Sequence, residues 1–187
     1  LGSAITAGYA SPKDNTVKFA CLDYDVPQEI IRYSYDPEKA KDLLAQAGVT
    51  TPYNIGTIYG GNSNGAAEIV KQCLNEVGIE AEIVQLEGNT MAQAFFSGDY
   101  DIGITNSPGY VSAGETLMGL YGTGQMYNFS HMSNARVDEL AQIAMTTQDE
   151  EEYKAAIDEA LNIVVDECTA VGIGIPSTYS VGNKELT

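Results

Sequence analysis

Read for the spacing of its apolar side chains, the chain divides into an irregular opening, an alternating middle and a helical close. Residues 1–33 carry no sustained period; Pro12 and Pro27 interrupt them, and one short strand is expected at "TVKFACL". The stretch "YDPEKAKDLLAQAGV" then predicts a helix. Asp36 is its N-cap, Pro37 takes the first turn and Gly48 follows the last. Ala40, Leu43, Leu44 and Ala47 fall on one face of it.

The middle alternates. "YNIGTIY" predicts a strand, and residues 64–77 a helix with Ala66, Val70, Cys73, Leu74 and Val77 inward. "IEAEIVQL" predicts a second strand, "TMAQAFFSG" a short helix and "YDIGIT" a third strand. Strand–helix–strand–helix–strand implies crossovers and a sheet that is at least partly parallel. Residues 106–133 are rich in Gly, Ser, Asn and Tyr, with one short helix expected at "GETLMGLY". So long a polar segment points to function. Two helices follow. Val137, Leu140, Ala141 and Ala144 mark the inner side of the first. In the second, Asp149 is the cap and Tyr153, Ala156, Ile157, Ala160, Leu161, Val164 and Val165 form the stripe. "AVGIGIPSTYSV" is a last strand candidate, broken by Pro176.

Composition narrows the function. In 187 residues, 44% hydrophobic and 19% charged, there is enough apolar material for a packed core. The formal charge of −17, with only nine Lys and Arg, argues against nucleic acid and anionic membrane surfaces as partners. No run approaches the roughly 18 apolar residues of a membrane helix. The opening "LGSAITAGYASPKDN" has no initiating Met, charged n-region or apolar h-region, as expected of a piece excised from a longer protein. Cys21, Cys73 and Cys168 are too few and too scattered for a disulfide framework or a C-x-x-C site.

"IYGGNSNGAAEIVK", residues 58–71, opens a chemical question. A small-residue loop between a strand and a helix can hold a phosphate on backbone N–H groups. In this it resembles the phosphate loop of flavodoxins, and a flavodoxin-like flavin- or nucleotide-binding electron carrier is the alternative reading. The loop lacks a Walker Lys and the G-x-G-x-x-G spacing, and over fifty residues precede it.

A second resemblance covers nearly the whole chain. "YDPEKAKDLLAQAGV", "AAEIVKQCLNEVGIEAEIVQLE", "MAQAFFSGDYDIGIT" and the segment from "YNFSHMSNARVDEL" to "GIGIP" stand in order. They are similar to the D-P-x-K-A, L-x-x-x-G-I, G-D-Y-D and N-x-S-x-x-S-N-x-x-V-D-x-L segments of the solute-binding proteins of ABC importers, family 5, the peptide, dipeptide and nickel class. The resemblance implies an α/β fold: a periplasmic-binding-protein-like (type II) lobe, its mostly parallel sheet flanked by helices. It implies that residues 1–187 are one ligand-binding lobe, the second of a two-lobed protein. Members close both lobes on a solute, such as an oligopeptide, and deliver it to the permease subunits of an ABC importer. They are extracytoplasmic, periplasmic or lipid-anchored, and they are not enzymes. No cofactor and no metal is implied.

At the ligand side this chain departs from the family pattern. Peptide-binding relatives follow G-D-Y-D with W-x-x-D and then D-P, and that acid pairs with the peptide ammonium. Counted from Asp101, these positions are Ser107, Tyr110, Ala113 and Gly114. The resemblance therefore makes Asn106, Ser107 and Tyr110 the candidate ligand contacts, with Tyr59 and Asn62 of the earlier loop as weaker ones, and a solute recognised without that acid as plausible as a peptide. Asn106 and Ser107 equally suit bonds to their own backbone before Pro108. The lone His131 has no second His or Cys near it in sequence and reads as a surface or hydrogen-bonded residue. Asp99 and Asp101 read as structural, and no nucleophile–base pair suggests catalysis.

Overall fold

A computed structural model describes residues 10–11, 19, 21, 23–27, 30, 33–60, 65–105, 110–173 and 175–176. Three parallel strands, β2 (Tyr53–Gly60), β3 (Ile79–Gln85) and β4 (Ile102–Ile104), form a sheet in the order β3-β2-β4. Helices α2 (Ala66–Glu76) and α3 (Gly88–Ser97) make the crossovers, as the alternating pattern predicts. A two-residue β1 (Ala10–Ser11) pairs antiparallel with β5 (Ile175–Pro176), so "AVGIGIPSTYSV" supplies a strand of minimal length. The strand expected at "TVKFACL" lies almost wholly outside the described residues.

The sheet has its own small core. Ile58 is fully buried with Ala66, Ala67, Ala81 and Ile104, and Ile55, Val70, Leu74 and Ile83 pack around them. Ile55 and Ile58 share this core although strict alternation would part them. A bulge is the reason. Asn54 pairs with Glu80 and Gly56 with Ala81, which leaves Ile55 as the extra residue. Gly56 has φ 101°, and a Cβ there would fall 2.0 Å from Asp101 Oδ2, so only glycine fits. Asp101 fastens the bulge by accepting from Thr57 N at 2.8 Å and Thr57 Oγ1 at 3.3 Å. The structural role expected of Asp101 is this clamp.

The larger core belongs to three helices, α4 (Ala113–Tyr121), α5 (Ala135–Thr146) and α6 (Glu150–Asp166). Leu117, Tyr121, Val137, Leu140, Ile157, Leu161 and Val164 are all buried there. The stripes expected of α5 and α6 are found, and so is the Asp149 cap expected of α6; α5 has a cap as well. Asn134 accepts from Arg136 N and Val137 N, and Asp149 from Glu151 N and Glu152 N. Phe19 and Ile30 of the irregular opening join this core. Two tyrosine–aspartate pairs hold that opening down: Asp23 accepts from Tyr153 Oη and Ala113 N, each at 2.8 Å, and the Tyr24 hydroxyl donates to Asp158.

Helix α1 (Pro37–Gln46) starts at Asp36, which accepts from Lys39 N, and Gly48 with φ 72° follows it. Its apolar stripe behaves otherwise than expected: no residue of α1 is buried and Leu43 is 53% exposed. Among the described residues no element is laid closely enough on α1 to cover that face. In α2 the expected inward set holds only in part, with Ala66 buried and Val70, Cys73 and Leu74 half-buried.

Candidate solute-binding edge

Parallel strands bring their C-terminal ends to one edge of a sheet, where α/β folds collect their ligands. β2 ends at Gly60 and β4 at Ile104, and these two residues are register partners. The chain therefore leaves the sheet at two neighbouring points, into residues 61–64 and residues 105–110. The predicted contacts come from these two exits, which the sequence separates by some forty positions. Asn62, Asn106 and Ser107 lie outside the described residues.

Tyr59 sits one residue before the first exit, half-buried, with its ring 6.1 Å from that of Tyr100 at a tilt of 42°. Tyr110 closes the second exit against the helical core. Its hydroxyl lies over Gly119, where a Cβ would stand 2.5 Å away. Burial above all, and then Tyr127 and Glu115 nearby, raises its phenol above the ordinary value, so Tyr110 is a neutral hydroxyl at physiological pH. What the described part of this edge can offer a ligand is ring surface and a neutral hydroxyl. Ala113 and Gly114, at the positions of the family's D-P pair, are buried in the first turn of α4; a Cβ at Gly114 would meet the backbone of Ala144 at 2.9 Å.

The two motifs behind this edge are structural. In "GDYD", Gly98 ends α3 with φ 71°, and a Cβ there would meet His131 Nε2 at 2.5 Å. Tyr100 donates its hydroxyl to the carbonyl of Phe129, and Asp101 clamps the bulge. In "NFSHMSN", Asn128 is 4% exposed and fully bonded. Its Nδ2 donates to Gly122 O at 3.0 Å and Met132 O at 2.8 Å, while its Oδ1 accepts from Ser130 Oγ at 2.9 Å and Met132 N at 3.2 Å. Asn134 caps α5, and Asp138 accepts from Thr123 N at 2.8 Å and Thr123 Oγ1 at 2.7 Å. His131 is exposed with φ 51°, and among the described residues no three His, Cys, Asp or Glu side chains gather as metal ligands. Cys21, Cys73 and Cys168 are free thiols; Cys73, expected inside, is half-buried.

Sequence reading missed an aromatic seam. Phe95 stands 5.0 Å from Tyr100 and 5.4 Å from Phe129, and Phe129 stands 5.7 Å from Phe96 and 6.0 Å from Tyr127. With Tyr59 this makes a continuous path from the strand ends to the loop after α4. Beside its far end lies a hollow of about 490 Å³. The "FF" of α3 and the "MYNF" of the loop were its only signals, and nothing in their spacing joins them.

Known proteins match this chain along most of its length. Residues 1–128 match the bacterial extracellular solute-binding proteins, family 5 middle region. A glutathione-binding protein, GsiB, of Shigella dysenteriae is 26% identical over 195 residues, covering 97% of this chain and 37% of the relative. The chain thus spans just over a third of the length of the curated relatives it matches. The periplasmic binding protein DppA of Helicobacter pylori, solved with the peptide STSA, superposes with a TM-score of 0.78 at 19% identity, over 93% of this chain and 35% of that one. The substrate-binding protein CtaP of Listeria monocytogenes gives 0.79 at 20%, over 94% and 37%. The fold is that of a type II periplasmic binding protein, as the resemblance implies. These matches do not support the flavodoxin-like alternative for residues 58–71. By sequence and by fold, the chain belongs to the bacterial extracellular solute-binding proteins of family 5.

Proposed function

We propose that this chain is one lobe of a two-lobed receptor of an ABC importer, which captures a peptide or other small solute outside the cytoplasm and delivers it to a membrane permease. The observation that supports the reading is the pairing of Gly60 with Ile104, the last residues of two neighbouring parallel strands, after which the sequence runs on into the two predicted contact segments. The lobe presses the solute against the other lobe, and the closed state is favoured by whatever contacts both halves make.

The chemistry of the edge narrows the solute. With Tyr110 in place of the acid, no carboxylate at that position meets a peptide ammonium, an interaction that contributes several kcal/mol when desolvated. Neutral hydroxyl and amide groups at Tyr110, Asn106 and Ser107, with Tyr59 and Asn62 beyond them, suit a solute held by hydrogen bonds and ring contacts. The relative's glutathione and short peptides are the first candidates. Calorimetry on the full two-lobed protein, with glutathione, a tripeptide and the N-acetylated tripeptide, tests this. Acetylation is expected to change affinity less than threefold, and Tyr110→Ala to weaken binding at least tenfold. A solute whose affinity collapses on acetylation, or that ignores Tyr110→Ala, would overturn the assignment.

A further inference from the structure

The hollow beside the aromatic seam lies between the end of α3 and residues 122–133, and neither Tyr59 nor Tyr110 lines it. Phe95 is 3% exposed and forms the inner wall; Phe96, 50% exposed, and Met126, 67% exposed, stand at the mouth. Phe129 lies between the two phenylalanines, and the buried Met132 closes the base. The walls are preformed. Asn128 knots the loop with four hydrogen bonds, and Asp138 fastens its start at Thr123. Open rings and thioethers on a chain this strongly charged are a departure from ordinary surface, and their volume falls in the range of small-molecule sites.

The charge balance selects the ligand. Among the described residues lining the hollow there is no Lys or Arg, and the chain carries −17. An anion meets the repulsion of the chain as a whole, against which the lining sets only the side chains of Gln125, His131 and Ser133. A neutral apolar molecule gains ring contact alone. A cation with an apolar skin gains that contact, the attraction of the ring faces, and the field of the chain, including the Asp138 carboxylate held behind Thr123. A primary ammonium has to shed a tightly held water shell to enter; a methylated one does not. We propose that this hollow is a second binding site, taking small organic cations of the quaternary ammonium type on the rings of Phe96 and Phe129, with the buried Phe95 backing them.

The test is a ¹³C-methyl NMR titration of the full chain, reading Met126 and Met132, with choline and with its neutral isostere 3,3-dimethylbutan-1-ol. Saturable shifts at both methionines with choline, at least tenfold tighter than with the neutral alcohol and weakened by 0.5 M salt, are expected. Phe96→Leu, which keeps apolar bulk at a half-exposed position but removes the ring, is expected to weaken choline at least fivefold with the far-ultraviolet circular dichroism unchanged. Equal binding of the alcohol, absence of saturation, or choline binding indifferent to Phe96→Leu would each overturn the proposal.

Discussion

Asn128 shows how much one side chain can organise. Its amide satisfies two carbonyls and receives two donors inside a loop that has no regular structure of its own. Replacement by Ala leaves those groups buried without partners, which costs about 3 kcal/mol. Urea denaturation of Asn128→Ala is expected to show that loss; an unchanged midpoint would mean the loop's own turns suffice to hold it. Acid–base behaviour is set at the same scale. Burial, and then the Asp23 charge, pushes the Cys21 thiol from its ordinary 9.0 up to about 11. Burial and the bond to Asp158 push the Tyr24 phenol well above its ordinary 10.0. Both groups are held neutral more strongly in the folded state than in the unfolded one. Their contribution is complete below pH 9 and is lost as pH climbs through the raised values. Thermal melts are therefore expected to fall from pH 9 to 11, with a shallower decline in Tyr24→Phe.

At the scale of elements, legibility in the sequence followed locality. Helices α5 and α6 were readable because the apolar stripe of each, and in α6 also the cap and the first-turn charge, lie within a few residues of one another. Asn134 and Asp149 each bond N–H groups two and three positions on. The bulge in β2 was not readable, since its clamp, Asp101, stands 44 positions downstream and its effect on Ile55 needs the register of β3. Helix α1 marks the opposite failure. Its caps were read correctly, but amphipathic spacing states only that a face is apolar, and Leu43 remains half exposed. The candidate edge was legible in outline through the family segments. That its two exits adjoin follows only from the Gly60–Ile104 pairing, and the aromatic seam only from contacts between residues 59, 95, 100, 127 and 129.

At the scale of the whole molecule, two cores share one chain, and the seam, with the Tyr100 hydroxyl on the Phe129 carbonyl, ties the end of the sheet to the loop after α4. On the proposed function a clamp shares its contacts between two jaws, of which these 187 residues are one. The isolated chain is therefore expected to bind any transported solute at least a hundredfold more weakly than the full-length protein. Titration calorimetry of both decides it, and equal affinities would refute the sharing of contacts.

The single residue that Ile55 adds to β2 carries a consequence beyond packing. Because the bulge absorbs one position of phase, drift in the turn that leads into the strand need not invert the faces of Ile58 and Tyr59. The mouth of the sheet is insulated from its root. On the proposed function, substitutions in the segments beyond Gly60 and Ile104 would retune which guest is accepted while the frame before them stays in place.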